Sequence, residues 1–420
     1  MIISKKSTCL IIRNKEEKGE KTMKKRTIAK TGATMLTMAM LLNGTTVFAA
    51  DNSYPGVKGG STAFDKYLVM DQEANVPNAS FTYTIEPGTA KTYNVGDKKF
   101  EVLAGVGTPT MTDEDTTADG YQLVFKPTDT LNKTVQTGDL VKNFDATKQG
   151  YAKKTSTVDF SGVTFKEPGI YRYVITETGT NQAVTNDKNE KRYLDVYVTD
   201  ENGSLKVSGY ILHATDSEVG MNESQGSDGT QNDDKSQGFT NTYDTSNLTF
   251  KKEVSGNQAS HDKYFEFTVE IKDAVPGTVY NVDIQGATPT SGSNAATIEA
   301  NANKANVTKL TVDADGKVTQ KFYLQHGQYI TIQGIAKDST YTVTENKEDY
   351  KSEAAAVKDY TDPTTGTVVS TDLKTSYLNT RAGAIPTGVI MTVAPFAAVT
   401  LLGAAGMVTI KMKKKEDDAE

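Results

Sequence analysis

The feature that most limits what this chain can fold into is a period-two alternation that recurs between turn signals. Runs such as Phe81-Thr-Tyr-Thr-Ile85, Tyr171-Arg-Tyr-Val-Ile-Thr176, Tyr193-Leu-Asp-Val-Tyr-Val198, Phe265-Glu-Phe-Thr-Val269 and Tyr341-Thr-Val-Thr344 place apolar residues at alternate positions. Gly, Asn and Asp punctuate the intervals. Side chains two apart on a strand point the same way, so each run buries one face and wets the other. Antiparallel strands in this number pack as sandwiches, and no long amphipathic helix competes with them. The expected fold is therefore all-β, with two tandem Ig-like β-sandwich domains at 51–244 and 245–380. The boundary follows a polar loop at 216–238 and the strand-like Phe239–Tyr243. Asp244 to Ser246 read as a short linker, and a new strand begins at Leu248. Asp313-Ala-Asp-Gly316 reads as a hairpin turn. Its spelling resembles part of a calcium loop, but the downstream ligands are missing, so no metal is expected.

Some polar residues keep step with the apolar ones. Lys66 is in phase with Phe64, Leu68 and Met70, and Lys252 with Leu248, Phe250 and Val254. Glu177 follows Tyr171, Tyr173 and Ile175, and Glu345 follows Tyr341 and Val343. Asn241 lies between Phe239 and Tyr243, and Asn379 follows Tyr377. Each half of the body thus holds Lys, then Glu, then Asn, all predicted to face a core. The lysine is expected on the first strand of its half and the asparagine on the last.

The two ends carry addresses. Lys24, Lys25 and Arg26 form a basic region after Met23, an apolar run spans Ala33 to Leu42, and Val47-Phe48-Ala49 fits a small-residue cleavage pattern. Residues 1–50 therefore read as an upstream extension and signal peptide, cut after Ala49 or Ala50, with translation starting at Met1 or Met23. At the other end, Ile385-Pro-Thr-Gly388 precedes an uncharged apolar stretch from Val389 to Ile410, then Lys411, Lys413, Lys414 and Lys415. That stretch is long enough for a single transmembrane helix, with the lysines on the cytoplasmic side. The only cysteine, Cys9, lies upstream of the signal. The exported chain then has neither a disulfide nor a thiol nucleophile, and needs some other staple if it must resist force or proteases. The net charge of −7 gives no basic face for nucleic acid. Three scattered histidines and the lack of HExxH, GxSxG or Walker-type runs argue against a hydrolase or metalloenzyme, and no cofactor is expected.

The tail at 381–420 resembles the cell-wall sorting signal of Gram-positive surface proteins. Its shortened motif, with Pro386 directly before Thr387, looks like that of some pilin subunits. The stretch Val158 to Tyr171, Leu248 to Gly256 and Phe239-Thr-Asn241 resemble the isopeptide-bearing domains of streptococcal-type backbone pilins. The resemblance implies self-formed bonds Lys66–Asn241, with Glu177 as proton shuttle, and Lys252–Asn379, with Glu345. Tyr377-Leu-Asn379 departs from the Phe-Thr-Asn spelling. Burial favours a neutral amine and a protonated carboxyl, so the acid is expected to donate to the Asn carbonyl oxygen and then to pass a proton to departing ammonia. The resemblance also implies cleavage between Thr387 and Gly388 by a class C-like or housekeeping sortase. The acceptor would be a lysine of an identical subunit in a head-to-tail polymer, or peptidoglycan for the basal copy. Lys235, six residues before Asn241, is the candidate acceptor, with other lysines such as Lys153 and Lys154 as alternatives. The implied role is the backbone subunit of a wall-anchored surface pilus, its precursor passing through the membrane. The alternative is a wall-anchored adhesin that never polymerises, and either leaves a host surface ligand open. No enzyme activity is expected, because each triad would react once, on itself.

Overall fold

The computed structural model describes residues 55–95, 97–112, 121–217, 238–286 and 307–383. Among these, every regular element is a strand. The expected signal, the sorting motif with its apolar span, and Lys235 lie outside the described residues.

The N-terminal half layers two sheets. One has five strands, in the order Val184–Thr185, Gly238–Tyr243, Ser61–Asp71, Gln149–Asp159, Thr110–Thr112. The other runs Ser204–His213, Lys191–Glu201, Gly169–Thr178, Ala79–Pro87, Tyr121–Phe125, with Lys91–Val95 and Lys98–Ala104 attached beside it. Phe64, Leu68, Ala152 and Phe239 from the first sheet meet Phe81, Tyr83, Tyr173, Ile175 and Leu194 from the second in one buried core. The C-terminal half repeats the plan. Its six-stranded sheet runs Lys309–Thr311, Val279–Gln285, Tyr329–Ala336, Thr245–Ser255, Leu373–Thr380, Lys351–Ala354. Its four-stranded sheet runs Val318–Leu324, Phe265–Lys272, Thr340–Glu345, Thr365–Thr367. Leu248, Phe250 and Ile332 pack there against Phe267, Val269, Phe322 and Val343.

Four details differ from the expectation. A two-residue strand, Val57–Lys58, precedes the strand that carries Lys66 and pairs with Thr164–Phe165. The linker shrinks to Asp244 alone, because the next strand starts at Thr245 and absorbs a register shift between Ser246 and Leu248. Asp313 to Gly316 does form a tight turn, with Gly316 N donating to Asp313 O at 3.2 Å. It is not a hairpin, since the strands before and after it belong to different sheets. The strand Ser61–Asp71 is also buried on both sides around Lys66. Tyr67 and Val69 on its reverse face are covered by Tyr151, Val141 and Phe144.

Between the halves, side-chain amides reach across. Asn75 Nδ2 donates to Val279 O at 2.8 Å, Asn78 Nδ2 to Pro276 O at 2.9 Å and Asn281 Nδ2 to Glu73 O at 3.1 Å. Gln182 donates to Asp273 O, and Gln333 Nε2 to Glu73 Oε2 at 3.1 Å.

In each half the last strand docks in parallel beside the lysine-bearing strand, Gly238–Tyr243 on Ser61–Asp71 and Leu373–Thr380 on Thr245–Ser255. Gly238 permits the first of these contacts. A Cβ there would sit 1.6 Å from Asp65 O, so backbone would have to give way. Gly238→Ala is expected to destabilise the N-terminal half by at least ~3 kcal/mol, as for severe overpacking. Denaturant unfolding checks this, and an unchanged midpoint would mean that the strands do not meet in this register.

Candidate functional site: two buried Lys–Glu–Asn triads

The parallel docking sets the register of both candidate pairs. Lys66 lies opposite Phe239, and Asn241 is opposite Leu68. Lys252 lies opposite Tyr377, and Asn379 is opposite Val254. In both halves the asparagine is thus two residues further along than the lysine, on the same sheet face. A lysine stem is long enough to cross that diagonal. The glutamates come from the facing sheet. Glu177 ends the Tyr-x-Tyr-x-Ile run on Gly169–Thr178, opposite Tyr83, and Glu345 ends Thr340–Glu345, opposite Phe267. Each triad is therefore assembled across the sandwich and exists only when the two sheets are packed.

The first triad is fully enclosed. Lys66 and Asn241 have no exposed surface, and Glu177 is 4% exposed. Lys66 Nζ donates to Glu177 Oε2 at 2.6 Å and sits 4.1 Å from the centroid of the Phe81 ring. Tyr83 Oη donates to the same Oε2 at 2.6 Å. Burial, with the neighbouring carboxylate, pushes the Tyr83 phenol well above its usual pKa, so it stays a donor. Asn241 Nδ2 donates to Glu177 Oε1 at 2.6 Å and to Asn186 Oδ1 at 3.2 Å. Asn241 Oδ1 accepts from the backbone N–H of Asp187 at 2.9 Å. An N–H can only face an acceptor, so this contact fixes which end of the amide is oxygen. Glu177 thus lies on the Nδ2 side of Asn241, and the carbonyl oxygen meets the Asp187 N–H.

The second triad has the same plan with different fittings. Lys252 and Asn379 again have no exposed surface, and the Glu345 side chain is buried. Lys252 Nζ lies 2.6 Å from Glu345 Oε1 and 4.3 Å from the centroid of the Phe265 ring. Asn379 Nδ2 donates to the same Oε1 at 3.1 Å. Phe267 stands where Tyr83 stands in the first half and brings no hydroxyl. Ser352 supplies one, donating to Glu345 Oε2 at 2.8 Å.

Burial, the largest cause, pulls both lysines from 10.5 down to about 8, against the opposing pull of their glutamates. A neutral amine is thus within easy reach near neutral pH. Sequence phase alone missed Tyr83, Asn186, Asp187 and Ser352. Tyr83 was visible as an apolar-face residue of an alternating run, but nothing in the run marked its hydroxyl as a partner for Glu177. Two alternative acceptor lysines are engaged elsewhere. Lys153 Nζ lies 2.7 Å from Asp139 and 2.9 Å from Asp65, and Lys154 Nζ lies 3.0 Å from Asp129.

Residues 64–244 match the family model described as "Spy0128-like isopeptide containing domain", and residues 246–381 match a "Domain of unknown function (DUF7601)". A pilin of Streptococcus pyogenes serotype M1 is 27% identical over 410 residues, covering 93% of this chain and 99% of that protein. The crystal structure of the major pilin from Streptococcus pyogenes aligns at 20% identity over 78% of this chain and 100% of its own, with a TM-score of 0.45. The T-13 major pilin of the same species aligns at 23% identity over 78% and 100%, with a TM-score of 0.43. The chain resembles the streptococcal-type backbone pilins along nearly its whole length.

The lowered lysine predicts a pH signature where no bond can form. In an Asn241→Ala chain, Lys66 gives up its proton near pH 8 when folded and near 10.5 when unfolded. The unfolded chain then binds more protons between those values. The penalty for burying the ammonium is full below pH 8 and is relieved as pH rises, so stability should increase by about 3 kcal/mol across the window. Urea unfolding across the window measures this, and the rise should vanish in Lys66→Met/Asn241→Ala.

Proposed function

We propose that this chain is the repeating backbone subunit of a covalently polymerised surface pilus. Two Ig-like sandwiches, 51–244 and 245–380, would each be closed by a self-formed isopeptide bond, Lys66–Asn241 and Lys252–Asn379. The observation that carries this reading is the duplication itself. Two halves of different sequence build the same enclosed triad, with the same two-residue register offset and the same lysine-over-phenyl contact. A chance buried ion pair has no reason to recur with an asparagine in the same diagonal place.

The reaction is balanced within each triad. The proton of the ammonium passes to the glutamate, leaving a neutral amine beside a carboxylic acid. The amine nitrogen attacks Cγ of the asparagine, and the carbonyl π pair moves onto Oδ1. The acid gives its proton to Nδ2, the Cγ–Nδ2 bond breaks, and ammonia leaves. The π pair returns from Oδ1 as that bond breaks, and the carboxylate takes the surplus proton from the new amide nitrogen, ending as a carboxylic acid. In the first half, Glu177 faces amine and leaving nitrogen with its two separate oxygens, a suitable bridge for that exchange. Enclosure holds the groups together at high effective concentration and keeps water out. Each site reacts once, so the chain is not an enzyme. Each bond would close a loop of well over a hundred residues, worth about 5 kcal/mol in chain entropy. It would also carry load directly between first and last strands.

Outside the sandwiches, we assign the signal peptide ending at Ala49 or Ala50 to export. The Ile385-Pro386-Thr387-Gly388 motif would be the site of sortase cleavage, before the membrane span and basic tail. Thr387 would be joined to Lys235 of the next subunit, and the basal copy to peptidoglycan. Lys153 and Lys154 each lie against a carboxylate, which counts against those two as acceptors.

Intact-mass measurement tests the bonds. The mature body should be lighter than its sequence by two ammonias, and Glu177→Ala by one; no deficit would remove the assignment. Polymerisation is tested in cells of the source organism. A ladder of boiling-resistant multimers on a denaturing gel is expected, lost in Lys235→Ala, whereas a single band in both would favour a non-polymerising adhesin.

A further inference from the structure

The two sites differ at the carbonyl end. In the N-terminal half the strand after the glutamate is only Val184–Thr185, opposite Tyr243 and Thr242. Continuing that register would bring Asn186 opposite Asn241, but the chain leaves the ladder there. The segment 186–190 turns inward, and Asp187 N–H meets Asn241 Oδ1 at 2.9 Å. The Asp187 side chain pins this turn. Its Oδ2 accepts from Thr240 N at 2.8 Å and from Arg192, and its Oδ1 accepts from Asn189 N at 3.1 Å. Arg192 is buried and donates to Gly238 O at 2.7 Å and Asn189 O at 2.6 Å. The turn is thus fastened to the asparagine strand at Gly238 and Thr240 ahead of Asn241, while Val184–Thr185 pairs with Tyr243 and Thr242 beyond it.

In the C-terminal half the corresponding strand, Lys351–Ala354, stays in the ladder through this point. Ser352 is opposite Asn379, Glu353 opposite Leu378 and Ala354 opposite Tyr377. Among the described residues no N–H reaches Asn379 Oδ1, which is buried without a hydrogen-bond donor.

We propose that the Asp187 amide is an oxyanion donor for the first site, held in place by its own side chain and Arg192, and that the second site works without one. The Lys66–Asn241 bond therefore closes faster than the Lys252–Asn379 bond. This rests on the isopeptide reading of the triads. As the amine nitrogen bonds to Cγ, negative charge collects on Oδ1, and a donor already aimed there stabilises the transition state more than the ground state. Glu177, engaged by the amine and the leaving nitrogen, is spared that task.

The full chain tests this during cell-free synthesis. Samples are stopped in denaturant at intervals and digested, and the two cross-linked peptides are followed by mass spectrometry. The first bond is expected to lead, and Asp187→Ala to slow it roughly 100-fold, as for loss of one preorganised donor, with no change at the second. Asp187→Asn, which keeps an acceptor for Thr240 N, should recover part of the rate. Unfolding of Glu177→Ala with and without Asp187→Ala, where the first bond stays open in both, separates slow chemistry from a failed fold. If that pair shows the fold is lost, the comparison of the two wild-type sites decides. Equal closure of the two bonds, or a wild-type rate at the first bond in Asp187→Ala, overturns the proposal and leaves the bonds standing. Absence of both cross-linked peptides overturns the reading of the triads instead.

Discussion

A lysine ammonium enclosed with one carboxylate and one phenyl face is an expensive thing to build, and both halves of this molecule build it. Moving such a pair out of water costs several kcal/mol per ion, and mutual attraction at 2.6 Å recovers that only when the remaining polar atoms are also satisfied. The surroundings of Lys66 and Lys252 follow from this constraint. The amine cannot reach water, so its carboxylate must be delivered from the facing sheet, and the carboxylate in turn needs a hydroxyl or amide on its other positions. Because the partners lie on opposite sheets, none of these contacts exists in the unfolded chain. Any chemistry of the triad is conditional on correct packing.

The two halves meet the same requirement with unlike residues. The register offset between lysine and asparagine, the phenyl face and the cross-sheet glutamate are common to both. The hydroxyl on the carboxylate moves from Tyr83, beside the glutamate in its own sheet, to Ser352, across the sandwich beside Asn379. That exchange follows from Phe267 replacing a tyrosine on one strand and from a longer ladder at Lys351–Ala354 on another. What is held constant is the arrangement of lysine, glutamate and asparagine, and what varies is the means of satisfying the acid.

Much of this was legible beforehand, for a definable reason. Lys66, Glu177 and Asn241 could be placed on core faces because strand phase is a period of two, and a single in-phase polar residue stands out against Phe64, Ile175 or Tyr243. Phase says nothing about which sheet a strand joins, however. That the glutamates face the lysines across the core, while the asparagines lie beside them, is a matter of topology. The Asp187 contact was out of reach for a different reason. It is made by a backbone N–H in a turn, and backbone donors carry no residue signature. The hairpin at Asp313 failed because turn residues report a local reversal, not the sheet that the chain enters afterwards. The burial of Tyr67 and Val69 broke the alternation because residues distant in sequence, Val141 and Phe144, cover the outer face.

The contacts between the two halves have a consequence of their own. Among the described residues, four of the five side-chain amides that cross there end on peptide carbonyls, those of Val279, Pro276, Glu73 and Asp273. Only the Gln333 contact touches an ionisable group, the Glu73 carboxylate. Carboxamides and peptide groups neither titrate in the physiological range nor attract a counter-ion cloud. These contacts between the halves are therefore largely blind to acidity and ionic strength.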